Sequence, residues 1–82
     1  MLDLDHDIAI DFMDMRDDGR VWARLADARP GLVPIAGRYV IVGCHDADPA
    51  VAKILRVDHE GHIELEVLPG DVESHRDLLT SA

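Results

Sequence analysis

Val51-Ala52-Lys53-Ile54-Leu55-Arg56-Val57-Asp58-His59-Glu60-Gly61-His62-Ile63-Glu64-Leu65-Glu66-Val67 is the stretch whose reading decides the fold class. Its second half alternates without a break. Ile63, Leu65 and Val67 fall on one side of an extended chain and Glu64 and Glu66 on the other, the period-two pattern of a half-buried strand. Its first half, residues 51–58, carries Ile54, Leu55 and Val57 as the apolar members of another strand. His59-Glu60-Gly61 between them reads as a tight turn, because glycine supplies the positive φ that short hairpin loops require. Pro69-Gly70 stops the second strand.

Working outward, Arg38-Tyr39-Val40-Ile41-Val42 is β-branched or aromatic on both faces, which predicts a strand in the middle of the sheet. Asp46-Ala47-Asp48-Pro49 reads as the turn after it. Nearer the N-terminus Ile8, Ile10 and Phe12 alternate with Ala9 and Asp11, and the phase then slips at Met13 and Met15, as at a bulge or a change of sheet face. Asp17-Asp18-Gly19 predicts a first hairpin whose second arm, residues 20–26, puts Val21, Ala23 and Leu25 on one side and Trp22 among arginines on the other. Residues 27–37 hold Pro30-Gly31, Pro34 and Gly37, too many breakers for a regular element, with Leu32, Val33 and Ile35 pinning the loop to the core. Asp71 is placed to cap a short helical tail through Leu79, docked by Val72, Leu78 and Leu79. The expectation is one domain over residues 1–82, all-β with a short C-terminal helix: a small five-stranded antiparallel SH3-like barrel, with an OB-type barrel as the alternative. Closure removes the exposed edges of an open meander. Residues 1–6 are expected to fray, and residues 71–82 to form the tail.

The chain has 82 residues, 48% of them hydrophobic and 30% charged, enough for one core and too apolar for a disordered segment. Thirteen Asp and four Glu stand against seven Arg and one Lys, a net charge of −9. The arginines are scattered among acids, which argues against direct nucleic-acid binding, where clustered cations neutralise phosphates. Such acidity is a solvated surface, or an imitation of a nucleic acid's charge that attracts a basic partner. The preference for Arg, Asp and Ala over Lys and Asn matches GC-rich bacterial coding. Cys44 is the single cysteine, so no internal disulfide forms and a reducing compartment is favoured. No apolar run approaches the roughly 18 residues of a membrane span, and acids occupy the N-terminus where a signal peptide carries Lys or Arg. A cytoplasmic location without membrane contact is expected.

Gly37-Arg38-Tyr39-Val40-Ile41-Val42, then Ala52-Lys53-Ile54-Leu55-Arg56-Val57-Asp58, then Gly61 and Ile63-Glu64-Leu65-Glu66-Val67 resemble the barrel of KOW-type and related SH3-like domains. The resemblance covers residues 37–68. It implies a small barrel and, at most, contact with transcription or translation machinery through protein surfaces. The chain departs from that family where Ala50, Val51 and Ala52 stand in place of a strand-opening glycine. It also nearly lacks the basic residues that face RNA, so no RNA site is carried over.

Catalytic signatures are absent. There is no Gly-rich phosphate loop or nucleophile elbow, and the serines, Ser74 and Ser81, both lie in the tail. Cys44-His45 are neighbours, but adjacent strand residues point to opposite faces, so Cys44 reads as a small buried apolar residue. No enzyme activity and no cofactor are expected. The candidate metal ligands are His45 and Asp48 from one turn, with Asp46 beside them, and His59 and His62 from another, flanking Glu60. Turns also collect polar residues simply because they are wet. Asp46-Ala47-Asp48 opens like a calcium loop, but Val51 and Val57 occupy the positions of its glycine and last glutamate.

Asp3, Asp5 and Asp7 with His6, continuing to Asp11, Asp14, Asp17 and Asp18, form the expected acidic face. Met13, Met15, Trp22 and Arg24 are the candidate interface: outside the core, the two Met and Trp22 make an apolar patch rimmed by Asp and Arg. The alternative is that so small a barrel takes them inside. The functional expectation is a non-enzymatic module that binds a protein partner or its own copy. The alternatives are an acidic regulator acting on transcription or translation machinery by mimicry, and a small metal-binding protein.

Overall fold

The computed structural model describes residues 6–44 and 47–80. In chain order they form β1 (Ile8–Ala9), a 3-10 turn (Phe12–Asp14), β2 (Arg20–Arg24), a 3-10 turn (Leu25–Asp27), β3 (Tyr39–Cys44), β4 (Ala47–Val57), β5 (His62–Val67), a 3-10 turn (Glu73–His75) and α1 (Arg76–Thr80). The strands make one sheet in the order β1-β3-β4-β5-β2, curled into a half-barrel with one short C-terminal helix. The mostly-β class read from the sequence is therefore the observed one. Three pairings are antiparallel, but β1 runs parallel to β3, so the sheet is mixed.

The departure begins at the N-terminal segment. Asp11 caps the Phe12–Asp14 turn by accepting the Met13 N–H (2.9 Å), which ends the extended run after Ile10 and accounts for the phase slip at the methionines. A tight turn does form at Asp17-Asp18-Gly19, where the Arg16 N–H reaches the Arg20 carbonyl and Asp18 accepts the Arg20 N–H. It does not join β1 to β2. β2 pairs instead with β5, where buried Val21 and Ala23 stand opposite buried Leu65 and Ile63. Two alternating strands in matching phase bury one face together, whereas the interrupted N-terminal segment cannot offer that pattern.

β4, not β3, is the middle strand. Its eleven residues begin before Pro49, so the turn expected at residues 46–49 gives way to strand from Ala47 onward, while Asp46 lies outside the described residues. A register shift separates the pairs Val42–Ala50 and Cys44–Ala47, which leaves Asp48 and Pro49 at a bulge. A proline has no N–H for the ladder, and a bulge is where a sheet accommodates it. A second shift separates Ile54–Leu65 from Arg56–Glu64 and leaves Leu55 as the extra residue.

The core is aliphatic. Ile8, Ile54, Ile63, Leu65 and Val42 are fully buried, with Ile10, Val21, Ala23 and Val40 around them. Val51 is also fully buried but lies outside this cluster, since it alternates with Ala50 and Ala52; α1 packs against β3. In the tail Asp71 caps as expected, accepting both the N–H and the hydroxyl of Ser74. No helix among the described residues is long and apolar enough to cross a membrane.

Asp7, read as part of the acidic face, is structural. Its Oδ2 accepts the Ile41 N–H (3.0 Å) and its Oδ1 the Arg29 Nε–H (2.7 Å), and its backbone bonds to both Ile41 and Arg29. It ties the first strand to β3 on one side and to the loop after β2 on the other. An antiparallel bridge between Ile8 and Ala28 completes that second tie. His6 is half-buried, while residues 1–5, with Asp3 and Asp5, lie outside the described residues.

Candidate functional site

Trp22 stands on the outer face of β2, 44% exposed, between the buried Val21 and Ala23. Registers place Glu64 of β5 opposite Trp22 and Arg56 of β4 opposite Glu64, so the three side chains form one row across three strands. The Arg56 guanidinium lies over the indole, 5.3 Å from its centroid, and its Nε is 3.2 Å from Glu64 Oε1. His62 meets the indole edge-on, with 6.4 Å between centroids and 86° between planes. The Leu55 bulge creates this row. In a ladder without a bulge Arg56 would stand opposite Ile63, toward the core. Trp22 is therefore exposed yet held on two sides, so holding it in a bound state costs little further side-chain entropy.

β2 is an edge strand. The Gly19 carbonyl accepts the Val67 N–H and the Leu25 N–H donates to the Gly61 carbonyl, so residues of odd number face β5 and Trp22 and Arg24 turn their backbone groups to the open edge. Beside that edge runs a groove of about 360 Å³, with Ile10 and Asp11 on one wall and Trp22, Arg24 and Asp27 on the other. It is the seam of the half-barrel, bridged at Ile8–Ala28.

The remaining expected interface residues lie on the surface. Met13 is 90% exposed and Met15 37%, and Arg24 is exposed with its Nε 3.8 Å from Asp27 Oδ2. None of the four candidates lies in the core. Trp22 and Arg24 line the groove, and Met13 follows two residues after Asp11 on its opposite wall.

The metal candidates are regrouped. His45 lies outside the described residues, and Asp48 is exposed near the start of β4, at the strand end away from the β4–β5 turn. His59 is exposed in that turn. Among the described residues the side chains that converge are Asp58, Glu60 and His62, with one donor atom of each within 4.8 Å of the others. Asp58 organises the turn: Oδ1 accepts the N–H of Glu60 (2.9 Å) and of His62 (2.8 Å), and Oδ2 lies 3.0 Å from His62 Nδ1. The His62 backbone bond foremost holds the Asp58 carboxyl below its ordinary pKa, with the His62 ring and the Glu60 N–H adding to it against the opposing effect of burial. Gly61 closes the turn at φ +89°, a conformation that disfavours side chains.

Cys44 is free and half-buried at the end of β3. Comparison with known proteins finds no matching family model, no matching curated protein and no matching solved structure. Sequence reasoning named Trp22, Arg24 and His62 as candidates and passed over Arg56, Glu64 and Asp58, which the structure places beside them. The available signal was the alternation Asp58-x-Glu60-x-His62, three donors on every second residue across a turn.

Proposed function

We propose that the chain is a non-enzymatic protein-interaction module, which binds another protein or its own copy through the surface around Trp22, with Arg24, Met13 and Met15. The observation that carries this reading is the sole tryptophan, half-exposed on a folded sheet whose core is built from Ile, Val and Leu. Trp and Arg are the residues enriched at binding hot spots, and a held aromatic beside an open strand edge offers both an apolar anchor and backbone partners. The half-barrel is read as SH3-like, of the KOW kind, because residues 37–68, which carry that resemblance, fold as the consecutive antiparallel run β3, β4 and β5; an OB-type barrel is the alternative. A cytoplasmic setting belongs to the same proposal.

The test combines light scattering with affinity capture from the native host, using the natural chain and Trp22→Ala. Trp22 packs outside the core, so the variant keeps its circular dichroism. The expected result is a dimer or a bound partner that is weakened at least tenfold by the substitution, the loss of a hot spot of about 2 kcal/mol. A chain that stays monomeric at high concentration, and whose captured proteins all persist with Trp22→Ala, rules the surface out.

A second reading has its own observation. Among the described residues no charged side chain is buried, so their carboxylates face solvent and contribute to a strongly negative field. An acidic regulator would use that field on a basic partner. Its binding would fall steeply with salt, unlike binding centred on Trp22.

A further inference from the structure

We propose that the β4–β5 turn is a site for a divalent cation of the zinc class, held by His62 Nδ1, Asp58 Oδ2 and Glu60 Oε1 with water completing the shell. The three residues come from a five-residue run, and their donor atoms already face one another. His62 Nδ1 is 3.0 Å from Asp58 Oδ2 and 3.8 Å from Glu60 Oε1. A tetrahedral ion with bonds of about 2.0–2.1 Å holds its ligands roughly 3.3 Å apart. The two separations to His62 Nδ1 bracket that value, and all three donor atoms lie within 4.8 Å of one another, close enough for side-chain adjustment to bring them onto one ion.

Two of the ligands are positioned by groups that take no part in the site. Asp58 keeps its Oδ1 on the N–H groups of Glu60 and His62, which fixes the carboxylate and leaves Oδ2 aimed at the ring. The His62 ring rests edge-on against Trp22, whose own indole is held by Arg56. Outer contacts that orient ligands in this way are typical of metal sites. The chain's net charge of −9 favours a cation at its surface.

The ion lies between Nδ1 and Oδ2, in the place of any hydrogen there. Coordination requires the neutral ring with its hydrogen on Nε2, so a hydrogen carried by Nδ1 leaves to Nε2 or to solvent, and the Nδ1 lone pair forms the bond to the metal. One imidazole with two carboxylates suits zinc, nickel or copper better than magnesium or calcium, which prefer oxygen alone. Three side chains leave at least one position to water, so the site is open. This inference does not depend on the interaction reading.

Untagged, chelator-stripped protein is titrated with zinc chloride by calorimetry and with copper chloride by fluorescence, since the single tryptophan lies against the proposed ligand. The expected result is saturation at one equivalent of zinc, a saturable quench of Trp22 by copper, and no heat with magnesium. Glu60→Gln is expected to weaken zinc at least tenfold and His62→Gln to abolish it. Glu60 contributes its backbone, not its side chain, to the turn's short hydrogen bonds, so Glu60→Gln keeps the fold and decides the matter even if His62→Gln does not fold. Zinc heats that do not saturate, or affinity unchanged in Glu60→Gln, or affinity that follows His59→Gln instead, overturn the site.

Discussion

Asp58 shows how one side chain carries a turn. Its carboxylate accepts two backbone N–H groups and faces an imidazole, and each of these favours the charged form. Because its folded pKa lies below the ordinary 3.8, the stabilisation is fully present above the unfolded value and is lost as the pH falls through the folded one. Asp71 behaves alike, lowered first by the Ser74 hydroxyl and then by the Ser74 N–H. Asn keeps an accepting oxygen at position 58 but cannot titrate. The difference in melting temperature between the natural chain and Asp58→Asn is therefore expected to be steady above about pH 5 and to shrink below about pH 4. A difference that stays constant from pH 6 to pH 3 would show that the charge contributes nothing.

At the scale of elements, the Leu55 bulge deserves comparison with an ordinary strand position. Ile54 and Val57 both face the core and Arg56 faces out, paired with Leu65, Ile63 and Glu64 in that order. Deleting Leu55 lets Arg56 follow Ile54 directly, which restores a regular ladder without moving any of those side chains to the other face. Its expected cost is about 1 kcal/mol, the partial burial of one leucine. Deleting Lys53, two residues away, shifts the earlier half of β4 by one position. That deletion turns Ala52 and Ala50 away from the core and brings Val51 into it. Its expected cost is most of the stability of so small a domain, roughly 4–12 kcal/mol in total. Urea melts of the two deletions measure the contrast, and equal losses would mean that the bulge is not a separate unit. The β4–β5 hairpin was legible beforehand because glycine, turn acids and alternation all agree over residues 51–67. Pairing of β1 with β3 was not, because a two-residue strand has no period to read.

For the molecule as a whole, charge and size decide the balance. The radius of gyration is 11.6 Å, close to the roughly 12 Å of a filled globule of this length, so the half-barrel is packed. Its longest axis is 31 Å. At about 0.01 M salt the screening length is roughly 30 Å, so nearly every carboxylate feels every other, whereas at about 0.1 M it is roughly 10 Å. The melting temperature is expected to rise by a few degrees between those concentrations as self-repulsion among the acids is screened. A fall would mean that ion pairs such as Asp7–Arg29 and Arg56–Glu64 outweigh the repulsion.

Local pattern alone determined the strand content, the turn at Gly61 and the Asp71 cap, since each follows from neighbours within a few residues, whereas the surface position of Trp22 was left open between patch and core until the folded sheet placed it. Tertiary structure decided which strands meet. β2 passes over the nearby β1 to pair with β5 across some forty residues, because only β5 offers a matching apolar phase with acids opposite Arg20 and Trp22. The same long-range pairing, with its bulge, assembles Trp22, Arg56, Glu64 and His62 on one face. Side chains from three strands become neighbours only through a register, and register is a property of the folded sheet.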